Sequence, residues 1–119
     1  MTDINAADVY RKAAEVIVRD GKTEGLLTDQ GGSPEAIKNR KLPVCALGAC
    51  YRAHWELYGE MPVENLGVTW AYQFKVTEPS RFNGTPRPKW IWAINDRQET
   101  SAEDIALLLK RRAEEIEGA

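Results

Sequence analysis

The stretch CALGACYRAH, residues 45–54, gathers both cysteines of the chain, a glycine and its single histidine. A cysteine near a helix start has its thiolate favoured by the helix dipole, and a histidine within reach would complete a nucleophilic pair. Cys45 follows Pro43 by two residues, where the pattern starts a helix that ends before Gly59. On that helix His54 stands nine residues further on, about 13.5 Å along the axis and on the opposite side. A Cys45–His54 pair is therefore excluded, and no other histidine can replace it. A Cys45–Cys50 disulfide fails as well, because five helical residues separate the Cα atoms by more than the ~7 Å a bridge tolerates. Cys50 and His54 share i, i+4 spacing, but a zinc site takes about four ligands, or three and a water. The sequence thus assigns no catalytic residue, no metal ligand and no cofactor.

Read as a packing element, the same helix is coherent. Ala46, Leu47, Cys50, Ala53, His54 and Leu57 fall on one arc, with Cys45, Ala49, Arg52 and Glu56 opposite, where Arg52 and Glu56 pair at i, i+4. Cys50 becomes a small buried hydrophobe, and His54 a half-buried ring with one satisfied nitrogen.

A second polar group is NDRQETSAED, at the junction with the last helix. Asn95 and Asp96 are short side chains suited to tie a turn to backbone amides. Such a junction also attracts ligands, so Cys45, Arg52, Asn95 and Asp96 form the candidate set for a small enzyme or ligand-binding protein.

The third group is aromatic. Nine of the ten aromatic residues lie between Tyr51 and Trp92. GVTWAYQFKVT alternates with period two, placing Val68, Trp70, Tyr72, Phe74 and Val76 on one face of a strand. After the loop sequence EPSRFNGTPRP, KWIWAIN reads as its partner, with Val76 opposite Trp90, Phe74 opposite Trp92 and Tyr72 opposite Ile94. Three short helices cannot cover a hairpin this aromatic, so Trp70, Tyr72, Phe74, Arg81, Phe82, Arg87, Trp90 and Trp92 form a candidate partner-binding surface. Basic and aromatic residues at 81–90 are also the ingredients of single-stranded nucleic-acid binding, but a net charge of −2 argues against it.

The elements that would position these groups follow from pattern and caps. A first helix covers residues 6–20, with Ala6, Val9, Tyr10, Ala13, Val16 and Ile17 inward, Asn5 as N-cap, Ile4 stapled onto Val9, and Gly21 as its stop. A helical turn over 34–38 is capped by Ser33, and GLL near Leu26 offers a third short strand. The last helix opens on a capping box, Thr100 with Glu103 or Ser101 with Asp104. Its buried stripe is Ile105, Leu109, Ala113 and Ile116, widened by Leu108. The 119 residues, 43% apolar and 29% charged, fit one domain with one core. No apolar run reaches the ~18 residues of a membrane span. Two cysteines and an N-terminus without a signal-peptide pattern indicate a reduced, cytoplasmic setting.

Three segments, VIVRDGKTEG, CALGACYRA and IWAINDRQETSAEDIALLL, resemble a domain-of-unknown-function family of short actinobacterial and actinophage proteins. That family shows a Cys-x-x-Gly-Ala helix and a Trp-Asn-Asp turn before its final helix. Here the turn departs to Trp92-Ala93-Ile94-Asn95-Asp96, and the likeness covers roughly two thirds of the chain, leaving out much of residues 59–88. The resemblance implies no activity. It implies an actinobacterial or phage protein and weights Cys45, Gly48, Ala49, Asn95 and Asp96 as fold-defining positions. The expectation is an α+β domain of three helices packed on an antiparallel β-hairpin, with a possible third short strand. Its function is expected to be a non-enzymatic interaction module whose partner is a host protein or a second copy of the chain.

Overall fold

In the computed structural model, which describes residues 4–61, 72–79 and 86–118, helix α1 spans Ala6–Asp20, as its apolar spacing requires. The Asn5 side chain accepts the Asp8 N–H at 3.2 Å, and Gly21, at φ +98°, returns its N–H to the Ile17 carbonyl. Ile4 stays half exposed, and the Asn5 N–H donates to the Tyr58 hydroxyl. Helix α2, Pro34–Lys38, starts on Ser33, whose hydroxyl accepts the Ala36 N–H. Helix α3, Ala46–Tyr58, starts on Cys45 and ends on Gly59 at φ +72°.

The segment before α3 forms no third strand. Val44 instead makes isolated bridges, parallel to Lys22 and antiparallel to Thr28. Cys45 N–H donates to the Leu27 carbonyl at 3.1 Å, which draws the Leu27 backbone onto the first turn of α3. A Cβ at Gly48 would overlap the Leu27 carbonyl oxygen, so the approach depends on glycine there.

The hairpin is antiparallel, with β1 at Lys75–Pro79 and β2 at Pro86–Trp90. Its register differs by one from the aromatic pairing: Trp90 faces Lys75, and Val76 faces Lys89. The second strand also stops at Trp90, and Ile91–Asn95 turn into helix α4. The physical reason is visible in burial. Ile91, Ile94 and Asn95, at i, i+3 and i+4, enter the core, leaving Trp92 outside. The period-two apparent pattern of Trp90, Trp92 and Ile94 overlaps a helical one, and the tertiary contacts select the helix. Residues 67–71 of the expected first strand, with Trp70, lie outside the described residues, as do Arg81 and Phe82 of the loop.

Helix α5, Ala102–Gly118, uses the second register of its capping box: Asp104 N–H donates to the Ser101 hydroxyl, and Ser101 N–H to the Asp104 carboxylate, both at 3.0 Å. Helix α1 packs against both α3 and α5, and Tyr72, Phe74 and α4 close the core. The fold is α+β, with two short helices among the described residues beyond the three that periodicity marks.

Candidate functional site

At the end of α4, Asn95 is fully buried and joins three parts of the chain. Its Oδ1 accepts the Ala46 N–H at 3.0 Å, and its Nδ2 donates to the Thr23 carbonyl at 2.9 Å. The Lys22 ammonium donates to the Asn95 carbonyl at 2.6 Å and to the Arg97 carbonyl at 3.2 Å, where α4 leaves carbonyls free. Asp96 is exposed, yet its Oδ1 accepts the Gly25 N–H at 2.8 Å. The junction is a latch between α4, the 22–28 segment and the start of α3. Its polar groups serve one another rather than an open site.

Cys45 lies next to this latch. Its Sγ accepts the Gly48 N–H at 3.3 Å, and burial pushes the thiol up to about 11, with the hydrogen bonds to backbone amides only partly opposing it. Burial therefore outweighs the helix dipole, and the sulfur works as a cap. Cys50, one turn and more into α3, is enclosed completely, and burial raises its thiol as well.

Arg52 does not pair with Glu56. The helix is buried on both sides for two turns, because Ala46, Gly48, Ala49 and Ala53 let the 21–44 segment cover the second face. Arg52, at 0% exposure, donates from Nε to the Ile37 carbonyl at 2.6 Å, from Nη2 to Ala36 at 3.2 Å, and from Nη1 to Leu42 at 2.8 Å. Nη1 also meets the Asp20 carboxylate at 3.0 Å. One guanidinium thus satisfies the last carbonyls of α2 and the connector beyond it. Burial draws the Arg52 pKa down, while Asp20 opposes that shift. Burial also acts against the Asp20 carboxylate, but the hydrogen bonds of Arg19 and Arg52 outweigh it and hold its carboxyl below the usual range. Glu56 is engaged by Arg19 at 2.7 Å and by Arg40 at 2.9 Å, and the Arg19 hydrogen bonds hold it low.

The aromatic residues divide. Tyr72 and Phe74 belong to the core: Tyr10 meets Tyr72 and Phe74 edge-on, and its hydroxyl donates to the Tyr72 carbonyl at 3.1 Å. His54 is fully buried, with Nδ1 2.6 Å from the Tyr72 hydroxyl, and its Nε2 has no partner among the described residues. Burial lowers the His54 pKa, so the ring is neutral in the fold at neutral pH.

Trp90 and Trp92, in contrast, are 39% and 45% exposed. Arg87, Lys89 and Lys75 are exposed on the hairpin, and the Lys75 ammonium sits 4.7 Å above the Trp90 ring. Arg87, Trp90 and Trp92 are all exposed on the hairpin and α4, with Arg87 and Trp90 on opposite faces of β2 by the alternation of the strand. The structure places Cys45, Asn95 and Asp96 in the latch, while Arg52 lies about two turns away along α3. Lys22, Thr23, Asp20 and Arg19 have structural roles that no short-range pattern announced. Apart from the Arg19–Asp20 contact, their partners in these roles are distant in sequence, Lys22 and Asn95 being 73 residues apart.

Among the described residues, no group of three or more His, Cys, Asp or Glu side chains could hold a metal ion, and no helix is long and apolar enough to cross a membrane. No curated protein and no solved structure matches the chain. One family model does, and it extends through the middle segment that the motif resemblance left out. With residues 1–115 matched, the chain belongs to DUF6197, a family of unknown function.

Proposed function

We propose that the chain is a non-enzymatic protein-interaction module of the cytoplasm of an actinobacterium or its phage. Its contact surface is Arg87, Trp90 and Trp92, and its partner is a host protein or a second copy. The observation that carries this reading is the exposure of Trp90 and Trp92, with the Lys75 ammonium over the Trp90 ring, while Cys45, Arg52 and Asn95 are all committed to the fold. Tryptophan and arginine concentrate binding energy at protein interfaces, and a folded domain has no internal need to hold two indoles in water.

The test is affinity capture from the native host with the wild type and a Trp90→Ala/Trp92→Ala variant, with the mass in solution measured alongside. A specific partner, or a dimer, held by the wild type and weakened about tenfold or more in the folded variant supports the reading. Equal recovery by both proteins, or a monomer that holds nothing, overturns it.

A further inference from the structure

The hairpin has two edges of different character. The Ile91 N–H donates to the Phe74 carbonyl at 2.9 Å, so Phe74 and Ile91 are a hydrogen-bonded pair at the foot of the ladder. Bonded pairs recur every second residue in an antiparallel ladder, which makes Val76 with Lys89 and Glu78 with Arg87 the next two. Pro86 and Pro88 then fall on the other parity, facing away from β1, where a strand has no ladder bond to lose. The outer edge of β2 is thus deprived of donors at two positions and resists pairing.

Among the described residues the edge of β1 is open. By the same parity, Lys75 and Thr77 direct their N–H and C=O groups away from β2, and neither makes a backbone bond outside the hairpin among the described residues. A groove of about 290 Å³ lies along this edge, lined by Phe74, Lys75, Val76 and Thr77 on one side and by Leu108, Arg111 and Glu115 of α5 on the other. Alternation puts Phe74 and Val76 on one face and Lys75 and Thr77 on the other. A groove touched by all four therefore runs along the strand's edge and not under one face. Phe74, Val76 and Leu108, which lie in or against the core, are its apolar lining residues. Glu115 is engaged by Arg112 at 3.5 Å, whereas Lys75 and Arg111 make no ion pair among the described residues.

From this we infer that the groove between β1 and α5 binds an acidic extended peptide, which adds to Lys75–Thr77 as a third strand. The open edge supplies main-chain hydrogen bonds, the apolar lining takes alternate apolar side chains, and Lys75 and Arg111 meet the acidic ones. Four lining residues of β1 correspond to a contact about 13 Å long. This site meets the Trp90 surface at Lys75, whose ammonium lies over the Trp90 ring, while its ladder at Thr77 and its α5 wall lie outside that surface.

The experiment titrates the full chain, labelled with ¹⁵N, with a blocked heptapeptide alternating glutamate and valine. Saturable shifts are expected at the Lys75, Thr77 and Leu108 amides, and a lysine–valine peptide should bind about tenfold more weakly or worse. Of two peptides methylated on alternate sets of backbone nitrogens, one should lose about tenfold and the other keep its affinity, the signature of a ladder. Thr77→Pro should remove binding while preserving the hairpin, since the Thr77 N–H serves only the open edge. If that variant does not fold, the methylated peptides on the wild type decide the same point. Trp90→Ala/Trp92→Ala should bind the peptide within about twofold of wild type. Absent shifts at those amides, equal binding of the lysine–valine peptide, or equal losses with both methylated peptides overturn the inference. So does peptide binding that the Trp variant abolishes, which would assign the peptide to the surface under Proposed function. Self-association through the same amides without peptide overturns it too, and makes a second copy the occupant.

Discussion

The Asn95 side chain accepts the Ala46 N–H at 3.0 Å and so fastens the end of α4 to the first residue of α3, 49 positions away in sequence. Asn95→Ala leaves that N–H and the Thr23 carbonyl unpaired in the interior. Each buried unmet group costs about 1–3 kcal/mol, so urea unfolding should show a loss of roughly 2–6 kcal/mol. Asn95→Asp keeps the acceptor but loses the donor and sets a charge beside Asp96, so it should not restore stability. A loss under about 1 kcal/mol for Asn95→Ala would show that the latch is dispensable.

Arg52 should be irreplaceable by lysine. A single ammonium cannot reach the Ile37, Ala36 and Leu42 carbonyls and Asp20 together, as the planar guanidinium does. Breaking a buried, charge-assisted cluster costs about 3–5 kcal/mol, and Arg52→Lys is expected near that range in denaturant titrations. A midpoint close to wild type would contradict the clamp.

Two glycines, Gly48 within α3 and Gly59 at its end, should both resist alanine, for different reasons. Alanine is favoured over glycine inside a helix by up to about 1 kcal/mol, yet Gly48→Ala should destabilise by about 3 kcal/mol or more. The added methyl overlaps the Leu27 carbonyl oxygen, which is itself bonded to Cys45 N–H. Gly59 has open space around its absent Cβ, and only its φ of +72° opposes substitution. Gly59→Ala should cost about 1–2 kcal/mol. Thermal unfolding of both variants checks the order.

Stability should fall in two steps on acidification. The His54 pKa is lower in the fold than its ordinary value of 6.5, because burial disfavours the imidazolium. The unfolded chain then binds the extra proton first, so stability is complete above pH ~6.5 and declines as pH falls from there towards the folded-state value. Glu56 and Asp20 are held below 4.5 and 3.8, and their contribution is present above those values and lost as pH falls through their lowered folded-state ones. Unfolding free energy measured from pH 7.5 to 3 should show both declines. His54→Gln should flatten the upper one and leave the lower.

The hairpin aromatics should separate cleanly by substitution. Phe74→Ala opens the core under Tyr10 and should cost about 3–5 kcal/mol. Trp90→Ala and Trp92→Ala remove exposed rings and should each stay within about 1 kcal/mol of wild type. A large loss at Trp92 would mean that this ring supports the fold and not a contact.

The features legible in the sequence are those whose cause lies within about one helical turn. Asn5, Ser33 and Ser101 with Asp104 cap their own helices, Gly59 ends α3, and the apolar spacing from Val9 to Ile17 orients α1. The exclusion of a Cys45–His54 pair belongs here as well, since it needs only the geometry of one helix.

Other features were decided by tertiary structure. Arg52 reads as a surface residue in i, i+4 range of Glu56 until the segment ahead of α3 folds over it and presents carbonyls 15 and 16 positions away. Trp90, Trp92 and Ile94 read as a strand by their period of two, while Ile91, Ile94 and Asn95 share the helical spacing that the structure uses. The helix prevails because it sends Ile91 and Ile94 inward and brings Asn95 within reach of Ala46 and Thr23. Local pattern states which residues want to be buried. Which side of an element is covered, and by what, depends on long-range backbone partners, and that physical difference is why tertiary structure moved the aromatic question from Tyr72 and Phe74 to Trp90 and Trp92.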